Sequence, residues 1–173
     1  MKNVEYFLPF YIPHSTFYIL HFTFYILHST FYIKMKSLLD YDPKVLMAFL
    51  KSLEGDRKFS DFLMNNGYRE LEALASAIHS NEAALQWLLE NGYPEFAILS
   101  NAIDNEDAAI EWLEKYNCKF LSLFAAACRK ETEAIKWFAD NDLRLFIMII
   151  NEIHHILLYQ SWDASDFHKF RRS

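Results

Sequence analysis

From Leu38 onward the apolar positions recur with one fixed period. The tryptophans all fall on a single phase of it, at Trp87, Trp112, Trp137 and Trp162, with Phe62 one step earlier. Cutting after each aromatic gives five units: 38–62, 63–87, 88–112, 113–137 and 138–162. Position nine of the unit is Leu46, Leu71, Phe96, Leu121 and Phe146. Position twelve is Phe49, Leu74, Leu99, Phe124 and Ile149, and position sixteen is Leu53, Ile78, Ile103, Cys128 and Ile153. That i, i+3, i+7 spacing lays them on one helical face. Position twenty-two (Phe59, Ala84, Ala109, Ala134, Tyr159), the aromatic that ends the unit and position one of the next unit form a second stripe. Each unit therefore reads as two short amphipathic helices. One hairpin cannot bury both stripes, whereas stacked neighbours can. The pattern predicts an all-α fold, a short and quasi-linear α-solenoid of about five two-helix repeats.

The polar residues punctuate the same period. Ser80 and Asn105 are expected to cap the second helices, with Glu82, Glu106 and Asp107 in the first turn. Asn66-Gly67 and Asn91-Gly92 end those helices, where a left-handed residue is wanted. Pro43 and Pro94 open the next first helix. Ala77, Ala102 and Ala127 let helices approach closely. The fifth unit is apolar on more than one face, through Ile147, Met148, Ile149, Ile150, Ile153, Ile156, Leu157 and Leu158. It is expected either to be packed all round or to meet a partner or second copy. The polar tail 163–173 is expected to cap the stack.

Residues 1–34 follow a different rule. Residues 10–33 repeat with a period of seven: FYIPHST, FYILHFT, FYILHST, then FYI. A coiled coil does not fit, because four apolar residues run together without charged flanks. FYILHST can be encoded as TTCTACA three times over, since a seven-nucleotide repeat closes its reading frame after three copies. Pro13 and Phe22 are then single-base changes. The expectation is translated repeat DNA upstream of a true start at Met35, and the gene's nucleotide sequence tests it. Two other readings compete. Residues 6–33 lack Asp, Glu, Lys and Arg and are long enough for a membrane anchor, although His14, His21, His28 and two prolines interrupt them. A signal peptide is disfavoured by Glu5 and by the lack of a small-residue cleavage site. The histidines recur with the unit, so no ligand role is assigned to them.

Composition sharpens this division. The chain has 16 Phe, 10 Tyr and 4 Trp, and more than a third of these aromatics lie within residues 1–34. The net charge of -6 argues against nucleic acid, which calls for clustered Lys and Arg. Two cysteines are too few for a disulfide scaffold, and a cytoplasmic location is expected, with a membrane-anchored one as the alternative.

Residues 73–92, ALASAIHSNEAALQWLLENG, resemble the two-helix part of ankyrin repeats, in which an Ala-rich helix precedes one ending L-L-x-x-G. Ala75 and Ala77 match the first helix, and Trp87 through Gly92 the end of the second. Residues 109–115 and 134–140 are weaker echoes. The unit is shorter than the ankyrin repeat and has no T-P-L-H turn. The missing length is about that of the ankyrin β-hairpin. A convergent helical-hairpin array accounts for the same columns. The resemblance covers roughly 38–162 and implies a non-catalytic protein-binding module, using the first-helix face and the connecting loops.

Candidate chemistry is sparse. There is no Gly-rich phosphate loop, G-x-S-x-G or H-E-x-x-H, so no catalytic, cofactor or metal residue is assigned. Glu152, His154 and His155 form a tempting cluster, but adjacent histidines diverge by about 100° on a helix, and His155 is read as a helix-junction residue. Cys128 is read as a small core residue, and a bridge to Cys118 is not expected. The tryptophans are expected in the core, although exposed rings would be binding anchors. Asp104, Asp107, Glu111 and Glu114 are read chiefly as a solvated helix face, and otherwise as a surface for a basic partner. The leading expectation is a protein-interaction module with an unknown protein partner. A membrane-tethered adaptor using residues 6–33 comes second, and an enzyme or metal-binding protein third.

Overall fold

The computed structural model describes residues 36–169, with side chains up to position 162. The heptad repeat, the expected start at Met35, the 6–33 anchor and residues 170–173 lie outside the described residues. Among the described residues, a capped 3-10 turn at Leu38–Asp40 leads into nine α-helices. First helices are α1 (Pro43–Leu53), α3 (Arg69–Ile78), α5 (Pro94–Ile103) and α7 (Lys119–Cys128). Second helices are α2 (Arg57–Asn65), α4 (Glu82–Glu90), α6 (Asp107–Lys115) and α8 (Thr132–Asp140). The last, α9, runs over Arg144–Lys169. No strand occurs among the described residues. The protein is an all-α helical-repeat array in which neighbouring helices pack on one another.

The helices stop where the backbone turns left-handed. Ser80, Asn105 and Lys130 have φ of 63°, 65° and 68°, and Gly55, in the same column, has 85°. Each closes a paired hydrogen-bond motif. In the second unit Ser80 N–H donates to Ala77 O (2.8 Å) and Asn81 N–H to Ser76 O (3.1 Å). Such 5→2 and 6→1 bonds satisfy carbonyls that the helix end would orphan. The sequence therefore misplaces the second-helix cap by one residue. Asn81, not Ser80, is the N-cap, its side chain accepting from Ala84 N–H at 3.2 Å, and Glu106 takes the place expected of Asn105. Gly67 and Gly92 end α2 and α4 at φ of 87° and 85°, as expected.

The core is the one the columns predict. Positions nine, twelve and sixteen are buried in all five units, the most exposed being Phe146 at 6 %. Leu63, Leu88, Leu113 and Phe138, at position one, are also buried, and so are Ala77, Ala102 and Ala127. Each large apolar side chain removed from water here stabilises the fold by about 1.5–3 kcal/mol.

Two features depart from a linear row of hairpins. The fifth unit is not a hairpin, because α9 continues through the position where the other units turn. The residues explain this: where Asp56, Asn81, Glu106 and Glu131 begin a second helix, the fifth unit has Ile156, which has no side-chain acceptor. His155, read as a junction residue, is thus mid-helix. Moreover, α9 packs on α7 and α8 and also returns to α1. The first helices α1, α3, α5 and α7 and the helix α9 form a closed circuit of contacts. The apolar excess of the fifth unit serves this double packing: Phe146, Ile149, Ile150, Ile153 and Ile156 are all buried.

Candidate functional site

A recurring hydrogen bond shows how the units are tied. Each involves position seventeen, just after a first helix, and the last carbonyls of the first helix in the preceding unit. His79 Nε2 donates to Leu53 O at 3.1 Å. An Arg129 guanidinium N–H donates to Ala102 O. His154 hydrogen-bonds to the backbone of Cys128. The third unit breaks the rule, because Asp104 carries no donor when ionised. The carbonyl left over, Ile78 O, is taken by Gln160 of α9 (3.0 Å), whose amide also reaches Ser80 Oγ at 3.0 Å. One acid in the repeat thus creates the polar gap that the returning helix fills.

Asp104 sits at the C-terminal end of α5, beside a shallow groove lined by Ser80, Asn81, Glu82, Ser100 and Asn101. The residue as a whole is exposed, yet its carboxyl is partly desolvated. Burial first, and the charge of Glu106 second, raise its pKa to about 6. The other expected acids lie elsewhere. Asp107, Glu111 and Glu114 are exposed along α6, at i, i+4 and i+7. The structure thus groups three of the four on one outer stripe and sets Asp104 apart.

The tryptophan column is graded rather than uniformly buried. Trp112 is 5 % exposed, with its ring 4.5 Å from that of Tyr116. Trp87 is half-buried and stacks on Tyr93. Phe62 and Trp137 are 42 % and 37 % exposed, and Trp162 is 80 % exposed. The expectation of core packing therefore holds for Trp112 alone. Position one, one residue further on, points inward, so the aromatic lies on the flank of the stripe. Beyond it, α9 exposes Met148, Leu158, Tyr159 and Trp162.

The histidines do not converge. His155 is exposed and its Nδ1 is 4.0 Å from Glu152 Oε2. His154 turns toward Cys128, and partial burial, followed by the charge of Lys130, lowers its pKa. Among the described residues no group of three or more His, Cys, Asp or Glu is arranged to hold a metal ion. Cys128 is fully buried and its thiol is pushed well up by desolvation, and no disulfide joins it to Cys118.

A site the sequence reading missed lies at the start of the described chain. Glu70 and Glu95 are 2 % and 1 % exposed, in the first turns of α3 and α5. Lys36 Nζ is 2.7 Å from Glu70 Oε1, which also accepts from Tyr41 Oη at 2.9 Å. Lys36 N–H donates to Glu95 Oε1 at 2.8 Å. The ammonium lies 5.3 Å and 5.2 Å from the Tyr41 and Tyr93 ring centres. Burial works against the Lys36 charge, but the Glu70 bond and nearby negative groups outweigh it and raise its pKa. Burial raises the Glu95 pKa, opposed by its own and the Lys36 backbone N–H. The missed signal was positional: both acids stand at position eight, where Val45, Phe120 and Leu145 are apolar.

No family model matches this chain, and no curated protein or solved structure is significantly similar to it. No helix among the described residues is long and apolar enough to cross a membrane.

Proposed function

We propose that this protein is a non-catalytic interaction module that binds a protein partner through its last helix. The observation that supports this is the exposure of Leu158, Tyr159 and Trp162, at 51 %, 79 % and 80 %, on a helix whose opposite side closes the core. Large aromatics presented on a rigid element are the usual anchors of protein interfaces. The acidic stripe of Asp107, Glu111 and Glu114 then favours a basic partner through encounter rate and orientation. The ankyrin-like motif at residues 73–92 agrees with this role, and two cysteines without a bridge between them suit a cytoplasmic setting. The test is affinity capture with the full chain against a Tyr159→Ala/Trp162→Ala chain of equal helicity. Loss of one partner, identified by mass spectrometry and rebinding the wild type when purified, supports the reading. Equal capture by both chains refutes it. Sedimentation velocity checks the last helix as a self-association surface, the other use the apolar fifth unit allows.

A further inference from the structure

The outer face of α9 carries a pattern that the core does not need. Arg144, Met148, Asn151, His155, Leu158 and Trp162 are all exposed, on the side away from the buried Ile149, Ile153 and Ile156. Their steps alternate four, three, four, three, four, the spacing of a seam between two paired helices. The row extends about 27 Å, or five turns. It is also its own complement. Turned end for end about Ile153, Arg144 falls on Trp162, Met148 on Leu158 and Asn151 on His155. Each pairing has matching chemistry: a guanidinium with an indole face, two apolar chains, and an amide with an imidazole.

We propose that this face is covered by a second copy of the chain, whose α9 runs antiparallel across a twofold axis at Ile153. This rests on the last helix being an interaction surface, as above, and names its occupant. Local contacts leave the paired groups available. Asp142 holds Arg144 Nε at 2.7 Å, which leaves the guanidinium face for the ring. Lys130 donates to Asn151 Oδ1 at 3.2 Å, which leaves the amide N–H groups as donors. His155 turns Nδ1 toward Glu152, 4.0 Å away, which leaves Nε2 to accept from that amide. A parallel pair would instead set Arg144 against Arg144, so charge selects the antiparallel register. The net charge of -6 opposes self-association little at this place, because Glu152 is the single acid from Leu143 to Trp162. A twofold interface repeats every contact, so even modest pairings count twice.

The experiment uses the full chain. Sedimentation velocity over a dilution series should show a monomer–dimer equilibrium. Arg144→Ala and Trp162→Ala should each weaken the dimer about tenfold, and together by less than the product, because they remove one shared contact. Orientation is read by disulfide trapping in a Cys118→Ser background of unchanged helicity. A Met148→Cys chain mixed with a Leu158→Cys chain should cross-link. Neither should cross-link alone, since like positions lie about 15 Å apart along the pair, beyond disulfide reach. A monomer at every concentration, disulfides between like positions only, or a dimer indifferent to Arg144→Ala and Trp162→Ala would overturn the proposal. A monomeric wild type that still loses a foreign partner on Tyr159→Ala/Trp162→Ala overturns the dimer and leaves the interaction role standing.

Discussion

A lysine in the left-handed region is an unusual way to end a helix. Lys130 holds φ at 68° where Gly55 holds the same column at 85°. For a residue with a Cβ this conformation costs about 1 kcal/mol. Lys130→Gly should therefore raise stability by about 0.5–1 kcal/mol, measured as a shift in denaturant midpoint at constant slope. Asp104 offers a test by pH. Its folded pKa is raised above the unfolded value of 3.8 to about 6, so ionisation is disfavoured in the fold. The stability it contributes is fully present below pH 3.8 and is lost as pH rises through about 6. Asp104→Asn should stabilise the protein at neutral pH by less than about 1 kcal/mol, solvent screening included, with the gain vanishing below the unfolded pKa. Trp112→Ala should cost about 3–5 kcal/mol, because the ring is buried in a central unit. Glu111→Ala, exposed one residue away, should change stability by less than about 0.5 kcal/mol. Similar losses from the two would contradict the helical phase.

At the level of the helix, the sequence was most readable where side-chain type is forced by burial. Positions nine, twelve and sixteen tolerate only apolar residues, and their phase survives in every unit, including α9. Junctions were less readable, since Ser80 and Asn105 suit both an N-cap and a left-handed turn. Only the hydrogen bonds at 2.8 Å and 3.1 Å around Ser80 and Asn81 decide which role each takes. The continuity of α9 was written in the chain, but at position nineteen, where Ile156 replaces a polar capping residue. Restoring that chemistry should restore the break. His155→Gly/Ile156→Asp should interrupt α9 at residue 155, seen as faster amide exchange from 157 onward and reduced helical ellipticity. The acids at position eight were missed for the opposite reason. Polar residues in first turns are normally solvated, whereas these two are buried, with Lys36 Nζ and Tyr41 Oη on Glu70 and the Lys36 N–H on Glu95.

Across the whole array, closure changes how the units share stability. An open stack unfolds from its ends, because terminal units have one neighbour. Here α9 contacts both the fourth unit and α1, so the first unit is not a free end. Gln160→Ala should cost about 1 kcal/mol, by leaving Ile78 O without its side-chain donor. Its sharper signature is spatial: amide protection should drop in α3, far from the substitution along the sequence, as well as near position 160. Loss of protection confined to α9 would show that the Gln160 bond does not tie α9 to α3.

The return of α9 to α1 also bears on how such a chain can change over generations. Open helical arrays grow and shrink by duplication or loss of whole units, because a new unit needs only one compatible neighbour. A circuit whose last member must meet its first has no such freedom, since adding or removing one unit would carry Gln160 away from Ile78. Variation in this lineage should therefore run through substitutions within the existing units, with the unit number held constant by geometry.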